Sequence, residues 1–596
     1  MSFSVSISDI QQMSINKRSM WREWNRLPRF LRFVIIILLV VCFLSLIYVY
    51  SAFRELPLKM KKSKLVQQND ITKITFPISF TESLKKDQQV KPQNNEQIEV
   101  FGKGQQIETP HNKSKKEVKK VTSKDVVKQI LGQKEEKPFE AAGPTNPYQK
   151  AVVDAFKHAW KGYREYAWGQ DHLKPVSKSF HNWFGVGLTL IDALDTMYVM
   201  GLKKEFQEAR EWIANKLNFN INKDVNFFET TIRVLGGLLS TYHLTQDSLF
   251  LEKAIDIGNR LMPCFKTQSG VPYSDVNLQS GTVHPPSWSI DSSVSEVSTI
   301  QLEFRDLSRV TGRTEYEEAA FHVSKHLHTL PKKDGLVPMF INTDTGKFRT
   351  RSTITLGARA DTYYEYLLKQ WIQTGRNITW LKEDYMEAIE GVMKNLVRKS
   401  KPNQLVFVGE LLNGKKYSPK MDHLVCFLSG TLVLGYHYGM PISHLRLAEQ
   451  LINTCYQMYA NTATFLSPEI AHFNLKNEKS SDIIIKSNDA HNLLRPETVE
   501  SLWYMYYFTR NETYRSWGWN IFQGFERYTK VKTGGYTTIN DVRHPLFVNP
   551  RDMMESFFLG ETLKYFYLLF SDQQELSLDK YVINSEAHPL PIYSAR

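Results

Sequence analysis

Cysteine is scarce in this 596-residue chain: Cys42, Cys264, Cys426 and Cys455 are too few for a disulfide scaffold and follow no zinc-binding spacing. Excess positive charge is scarce where a nucleic acid would need it. The formal net charge is +13, but residues 1–140 hold 25 Lys+Arg against 14 Asp+Glu, while the remainder holds 50 against 48. No basic stripe is left on the folded part to follow a phosphate backbone, so nucleic acid is excluded as a partner. Long alternating strand-like runs are also scarce after Asn146, which argues against an all-β domain. What the chain has is apolar mass. At 42% hydrophobic and 12% aromatic it can bury a sizeable core.

Phe33 to Phe53 is an uncharged apolar run long enough to span a bilayer. It is too long for a cleaved leader's apolar stretch and no small-residue cleavage site follows it, so it reads as a retained signal anchor. Basic residues flank both sides and barely orient it. Asn-x-Ser/Thr sequons at Asn112, Asn377 and Asn511 lie only on the C-terminal side, which favours a lumenal location for that side. The chain is therefore divided into a cytoplasmic tail (1–32), an anchor (33–53), a flexible Lys-, Gln-, Glu- and Ser-rich stem (54–145) and a folded domain (146–596).

In the domain, apolar residues recur at helical spacing in many stretches. Seven share one form: an acid or His, then an apolar helix, then a polar turn. They begin near Asp192, Glu229, Glu296, Asp361, His423, Glu497 and Glu555. Amphipathic stretches between them, such as Glu205 to Leu217 and Trp380 to Val397, would form an outer layer. The fold class expected is all-α, an (α/α)7 barrel whose inner helices present their first polar residues at one rim. An acid at a helix start is commonly only a partner for the macrodipole, but seven equivalent positions argue for a site.

Glu229 and Arg233 share a helix face at i,i+4. Arg359 and Asp361 open one helix, and Arg495, Glu497 and Glu500 another, with Pro496 suited to a first helical position. Phe557 and Glu561 pair an apolar platform with a carboxylate. Such mixtures suit sugars, whose hydroxyls need acceptors and whose apolar faces stack. The tail from Tyr581 to Ile592 is strand-like with a turn, and Asn584 to His588 within it could plug the bore, bringing the oxygens of Ser585 and Glu586 to the carboxylates in a pocket for a hard cation such as calcium. An exposed tail is the simpler alternative. Cys426 and Cys455 lie on neighbouring helical patterns, where a bridge and two buried thiols are equally open.

The blocks FETTIRVLGGLLS, SEVSTIQLEFRDLSRVTG, LGARADTYYEYLLKQW, PKMDHLVCFLSGT, LLRPETVESLWY, MESFFLGETLKYFYLLFSD and INSEAHPLPI resemble the signature blocks of the class I α-1,2-mannosidases, glycoside hydrolase family 47, in order over residues 146–593. Around Arg359 the pattern is closer to the endoplasmic reticulum members than to the Golgi ones. The resemblance implies calcium-dependent, inverting hydrolysis of terminal α-1,2-linked mannose from high-mannose N-glycans, with no nucleotide cofactor, in the endoplasmic reticulum or early Golgi. It implies Glu229 as general acid through a water, Glu497 as general base and Asp361 as a third essential carboxylate. It also implies Arg233, Glu296, Arg359, His423, Arg495, Glu500, Phe557 and Glu561 as the sugar-binding lining, Ser585 as the calcium ligand, and a Cys426–Cys455 disulfide.

Two other readings compete: a lectin-like quality-control protein that binds mannose on the same fold without cutting it, and a membrane-tethered helical-repeat scaffold. One departure from the family pattern is Ser585, where the family carries threonine. Serine keeps the hydroxyl and carbonyl oxygens but loses the methyl that restricts the rotamer. Ser585→Thr should therefore tighten calcium binding in a calorimetric titration; unchanged affinity would count against this role for the missing methyl.

Overall fold

The computed structural model describes residues 138–476 and 478–593. The expected tail, the anchor at 33–53, most of the stem and the Asn112 sequon lie outside the described residues. Among the described residues, no helix is long and apolar enough to cross a membrane. Phe139 already belongs to the folded domain, ahead of the expected boundary at Asn146. Its amide donates to the Leu244 carbonyl at 2.8 Å and its ring lies 6.4 Å from that of Tyr198.

Among the described residues, fourteen principal helices, several of them built from two or three consecutive segments, alternate between two layers. They are α1 (Pro147–Tyr166), α2 (Leu188–Asp192 continued by Leu194–Val199), α3 (Lys203–Asn215), α4 (Phe227–Glu229, a π-helical turn Thr230–Leu235, then Gly236–Thr245) and α5 (Ser248–Leu261). Next come α6 (Val294–Ser298 and Gln301–Thr311), α7 (Glu315–Thr329), α8 (Asp361–Gln373), α9 (Thr379–Asn395) and α10 (the 3-10 turn His423–Cys426, then Phe427–His437). The last are α11 (Ile442–Ala460), α12 (Glu497–Thr509), α13 (Glu512–Tyr528) and α14 (a π-helical turn Phe558–Thr562, then Leu563–Leu569). The inner helices α2, α4, α6, α8, α10, α12 and α14 each pack on the next, and α14 returns to α2, so the ring closes. Each of the first six is followed by an outer helix packed on it, while α1 packs on α14.

Sequence pattern explains the layers. Outer α5 buries Phe250, Leu251, Ala254, Ile255, Gly258 and Leu261 and leaves its other face wet, as an amphipathic helix must. Inner α12 is buried without interruption from Thr498 to Tyr506, because neighbours lie on every side. Fully buried side chains such as Leu307 and Phe304 each contribute about 1.5–3 kcal/mol. The Cys426–Cys455 disulfide is present and ties α10 to its outer partner α11, while Cys264 is a buried free thiol.

The all-α expectation needs one correction. Seven small antiparallel sheets of two or three strands occur among the described residues. Strands of three residues are too short to show alternation in sequence, yet three of them aim inner helices: Asp224–Asn226 runs into α4, Asp291–Ser293 into α6 and Lys420–Asp422 into α10.

The expected plug is there. The hairpin of Tyr581–Ile583 and Pro589–Pro591 touches α4, α6 and α8, and its turn reaches α2 and α14. Glycine makes room for it: a Cβ at Gly236 would lie 2.7 Å from Asn584 Nδ2 and 3.2 Å from the His588 ring. Gly236→Ala should therefore cost about 1–3 kcal/mol, seen as a lowered denaturant midpoint with unchanged slope. An unchanged midpoint would show that the plug yields freely.

Candidate active site

The site begins with how α4 starts. Asn226 closes a strand and its Oδ1 accepts the Glu229 amide at 3.0 Å, capping the helix and setting Glu229 in its first turn. The π-helical turn that follows carries Arg233, whose Nε donates to Glu229 Oε2 at 2.8 Å. The same guanidinium reaches Glu586 of the plug at 2.7 Å, lies 3.7 Å from Asp192 on α2 and stands 5.6 Å from the centre of the Phe557 ring. Buried, with Glu586 and Glu229 as its strongest partners, Arg233 is held above its ordinary pKa range.

Glu296 completes a capping box with Ser293 and accepts from Ser274 at 3.0 Å and Asn226 Nδ2 at 3.1 Å. Asp361, the first residue of α8, accepts from the Ser295 hydroxyl at 2.7 Å and the Thr362 amide at 2.9 Å. Burial outweighs those bonds and pushes its carboxyl up to about 7. Arg359, two residues ahead, adopts a φ of 83° and stacks 4.0 Å over Trp288, a sparsely populated conformation of the kind that recurs at functional sites.

Glu497 is held on both oxygens. His423 Nδ1 lies 2.8 Å from Oε2, and Arg495 lies 3.8 Å from Oε1. His423 Nε2 is itself 2.8 Å from the Tyr459 hydroxyl and 2.9 Å from that of Thr498. Arg495 is fixed by Glu469, with Nε 2.8 Å from each carboxylate oxygen.

These side chains converge. A cavity of about 400 Å³ is lined by Glu229, Arg233, Glu296, Arg359, Asp361, Arg495, Glu497, Glu500, Phe557, Glu561 and Ser585, with Trp183, Trp288, Glu365 and Glu586. Eleven of the twelve residues expected at the acid, base, sugar or cation positions therefore line one cavity. His423 is the exception. It is buried behind Glu497 and orients it, because the 3-10 first turn of α10 points its ring toward α12. Asp192 and Glu555 also differ from expectation. Asp192 ends a helical turn rather than starting one and is buried against His588 at 3.2 Å, whereas Glu555 precedes α14 and faces His172 at 3.6 Å.

Sequence reasoning missed Glu469, Glu365, Trp183 and Trp288. Glu469 lies in an irregular segment with no helix start to mark it, and Trp183 and Trp288 sit in loops. Glu365 is mid-helix, where its i,i+4 spacing to Lys369 was the available signal.

The cavity floor holds more acid than base. Burial pushes Glu500, Glu561 and Glu586 all upward; Glu586 adds to the rise at Glu561, Asp192 and Glu229 add to that at Glu586, and Lys369 and Arg233 are the cations that oppose the shifts. Ser585 opens onto the same space. Ser585 and these carboxylates line one space with oxygen, the donor type a hard divalent cation takes, although among the described residues no group of three or more His, Cys, Asp or Glu is arranged to hold a metal ion.

A family model described as glycosyl hydrolase family 47 matches residues 155–592. The endoplasmic reticulum mannosyl-oligosaccharide 1,2-alpha-mannosidase of Homo sapiens is 62% identical over 452 residues, which is 75% of this chain and 64% of that protein. The match thus spans a little under two thirds of the human relative's length. Mannosyl-oligosaccharide 1,2-alpha-mannosidase MNS3 of Arabidopsis thaliana is 48% identical over 497 residues, covering 74% of this chain and 79% of the relative. The solved structure of an alpha-1,2-mannosidase from Trichoderma reesei superposes with a TM-score of 0.71 at 28% identity, covering 76% of this chain and all of the other. Given that span of matched residues, and relatives this similar over three quarters of its length, the chain belongs to glycosyl hydrolase family 47.

Proposed function

We propose that the chain hydrolyses terminal α-1,2-linked mannose from high-mannose N-glycans, with inversion and with calcium. The observation that carries this is the convergence of Glu229, Asp361 and Glu497, from three different inner helices, on one cavity that also holds Ser585. A repeat scaffold gives no reason for that convergence.

Inversion needs an acid at the leaving oxygen and a base activating water on the opposite face of the sugar. Glu229, its amide capped by Asn226 and its carboxylate held by Arg233, is the proposed acid, protonating the leaving oxygen through a water. Glu497 is the proposed base, since His423 and Arg495 fix the direction of its carboxylate. Asp361, with its raised pKa, is the third carboxylate and the alternative base. Phe557, with the Arg233 and Arg495 guanidiniums 5.6 and 5.8 Å from its ring centre, offers a ring for the sugar's apolar face, and Arg359 on Trp288 reads an outer sugar. Ser585, with the floor carboxylates around it, would hold calcium. When bound, the ion supplies positive charge and an anchor for sugar hydroxyls.

The uncharged run at 33–53, the three sequons and the disulfide support a single-pass type II protein of the endoplasmic reticulum or early Golgi, with this domain in an oxidising lumen. Asn377 and Asn511 are both exposed, as glycosylation requires.

Incubation with a nine-mannose glycan should release mannose initially as the β anomer, and a chelator should stop release; binding without release would instead favour the lectin reading. Glu229→Gln should lower kcat by about 10²–10⁴ and leave KM nearly unchanged. Equal losses in kcat and in substrate binding would remove the acid role.

A further inference from the structure

Ser585 sits on a turn that is held from beneath by a carboxylate outside the cavity. Glu303, on α6, is completely buried, and its Oε2 has no hydrogen-bond partner. Its Oε1 accepts two bonds at 2.8 Å, one from the Tyr366 hydroxyl on α8 and one from Asn584 Nδ2.

Each bond sets the sense of the group that donates it. With its proton committed to Glu303, the Tyr366 hydroxyl has an oxygen to offer, and that oxygen accepts the Ser585 amide at 3.3 Å. Asn584 Nδ2 is committed to Glu303 and to the Ile232 carbonyl at 3.0 Å. Its Oδ1 is thereby turned toward the amides of Glu586 at 2.8 Å and His588 at 2.9 Å. Lys564 holds the far side through the Ala587 carbonyl at 2.7 Å. Ala587 adopts a φ of 63°, a conformation that persists only when its surroundings impose it.

We infer that Glu303 is a positioning residue, an acceptor that sets the donor sense of Tyr366 and Asn584 and through them presents the Ser585–Glu586 turn to a cation. The cation part rests on the proposed role of Ser585. Glu303 itself touches neither ion nor sugar. What the arrangement requires is an accepting oxygen at Oε1. Glutamine can supply that oxygen while placing its amide nitrogen where Oε2 is unpartnered, whereas methionine cannot supply it.

The test uses the full chain after chelator treatment, titrated calorimetrically with calcium chloride, together with hydrogen exchange of the 581–590 segment in chelator. Glu303→Met and Tyr366→Phe should each weaken calcium binding about tenfold, the equivalent of one lost hydrogen bond. Both should exchange the 581–590 amides faster, and the double variant should be little worse than either single one. Glu303→Gln should restore both readouts to near wild type. The inference is overturned if Glu303→Met behaves as wild type in both readouts, or if Glu303→Gln fails as badly as Glu303→Met. Absence of calcium heat in the wild type would sink the calcium reading alone, since exchange in the four variants still decides whether Glu303 holds the turn. If Glu303→Met does not fold, Tyr366→Phe answers through the same two measurements.

Discussion

Arg233 is the interaction on which the site depends. Its guanidinium is largely enclosed where four parts of the chain meet: Glu229 on its own helix, Glu586 from the plug, Asp192 on α2 and the Phe557 ring ahead of α14. A buried arginine persists only with its charge satisfied, and these carboxylates persist only with a cation near them. Ring wall and plug therefore stabilise each other, and the acid Glu229 is oriented as part of that arrangement. The π-helical turns in α4 and α14 sit at this junction, and such local widenings recur at functional sites.

The same logic governs the rest of the mouth. Glu497 depends on His423 and Arg495, Arg495 on Glu469, and Asp361 on Ser295. No acid there stands alone, and each is held by a neighbouring helix or loop. What remains is the floor, where Glu500, Glu561 and Glu586 outnumber nearby cations. That imbalance is the physical basis of the proposed calcium site beside Ser585.

Much of this was legible in the sequence because inner helices begin with their functional residues. Glu229, Asp361 and Glu497 stand in first turns ahead of apolar runs, and helix starts are among the clearest sequence signals. The plug was legible as strand-like residues after so much helix. Elsewhere the signal was absent. Asp192 looked like a helix start because a second short helix follows it after one residue, and His423 looked like a rim residue because a 3-10 turn cannot be told from an α-turn by composition. Glu469 acts across 26 positions of sequence on Arg495, a pairing that only the fold creates.

The most direct test of the central claim is anomalous diffraction from crystals of the chain grown with calcium. If the cavity that Glu229, Asp361 and Glu497 line is the proposed cation site, a calcium peak will lie inside it within coordination distance of Ser585. A calcium peak bound elsewhere, with the Ser585 turn free of metal, would contradict it.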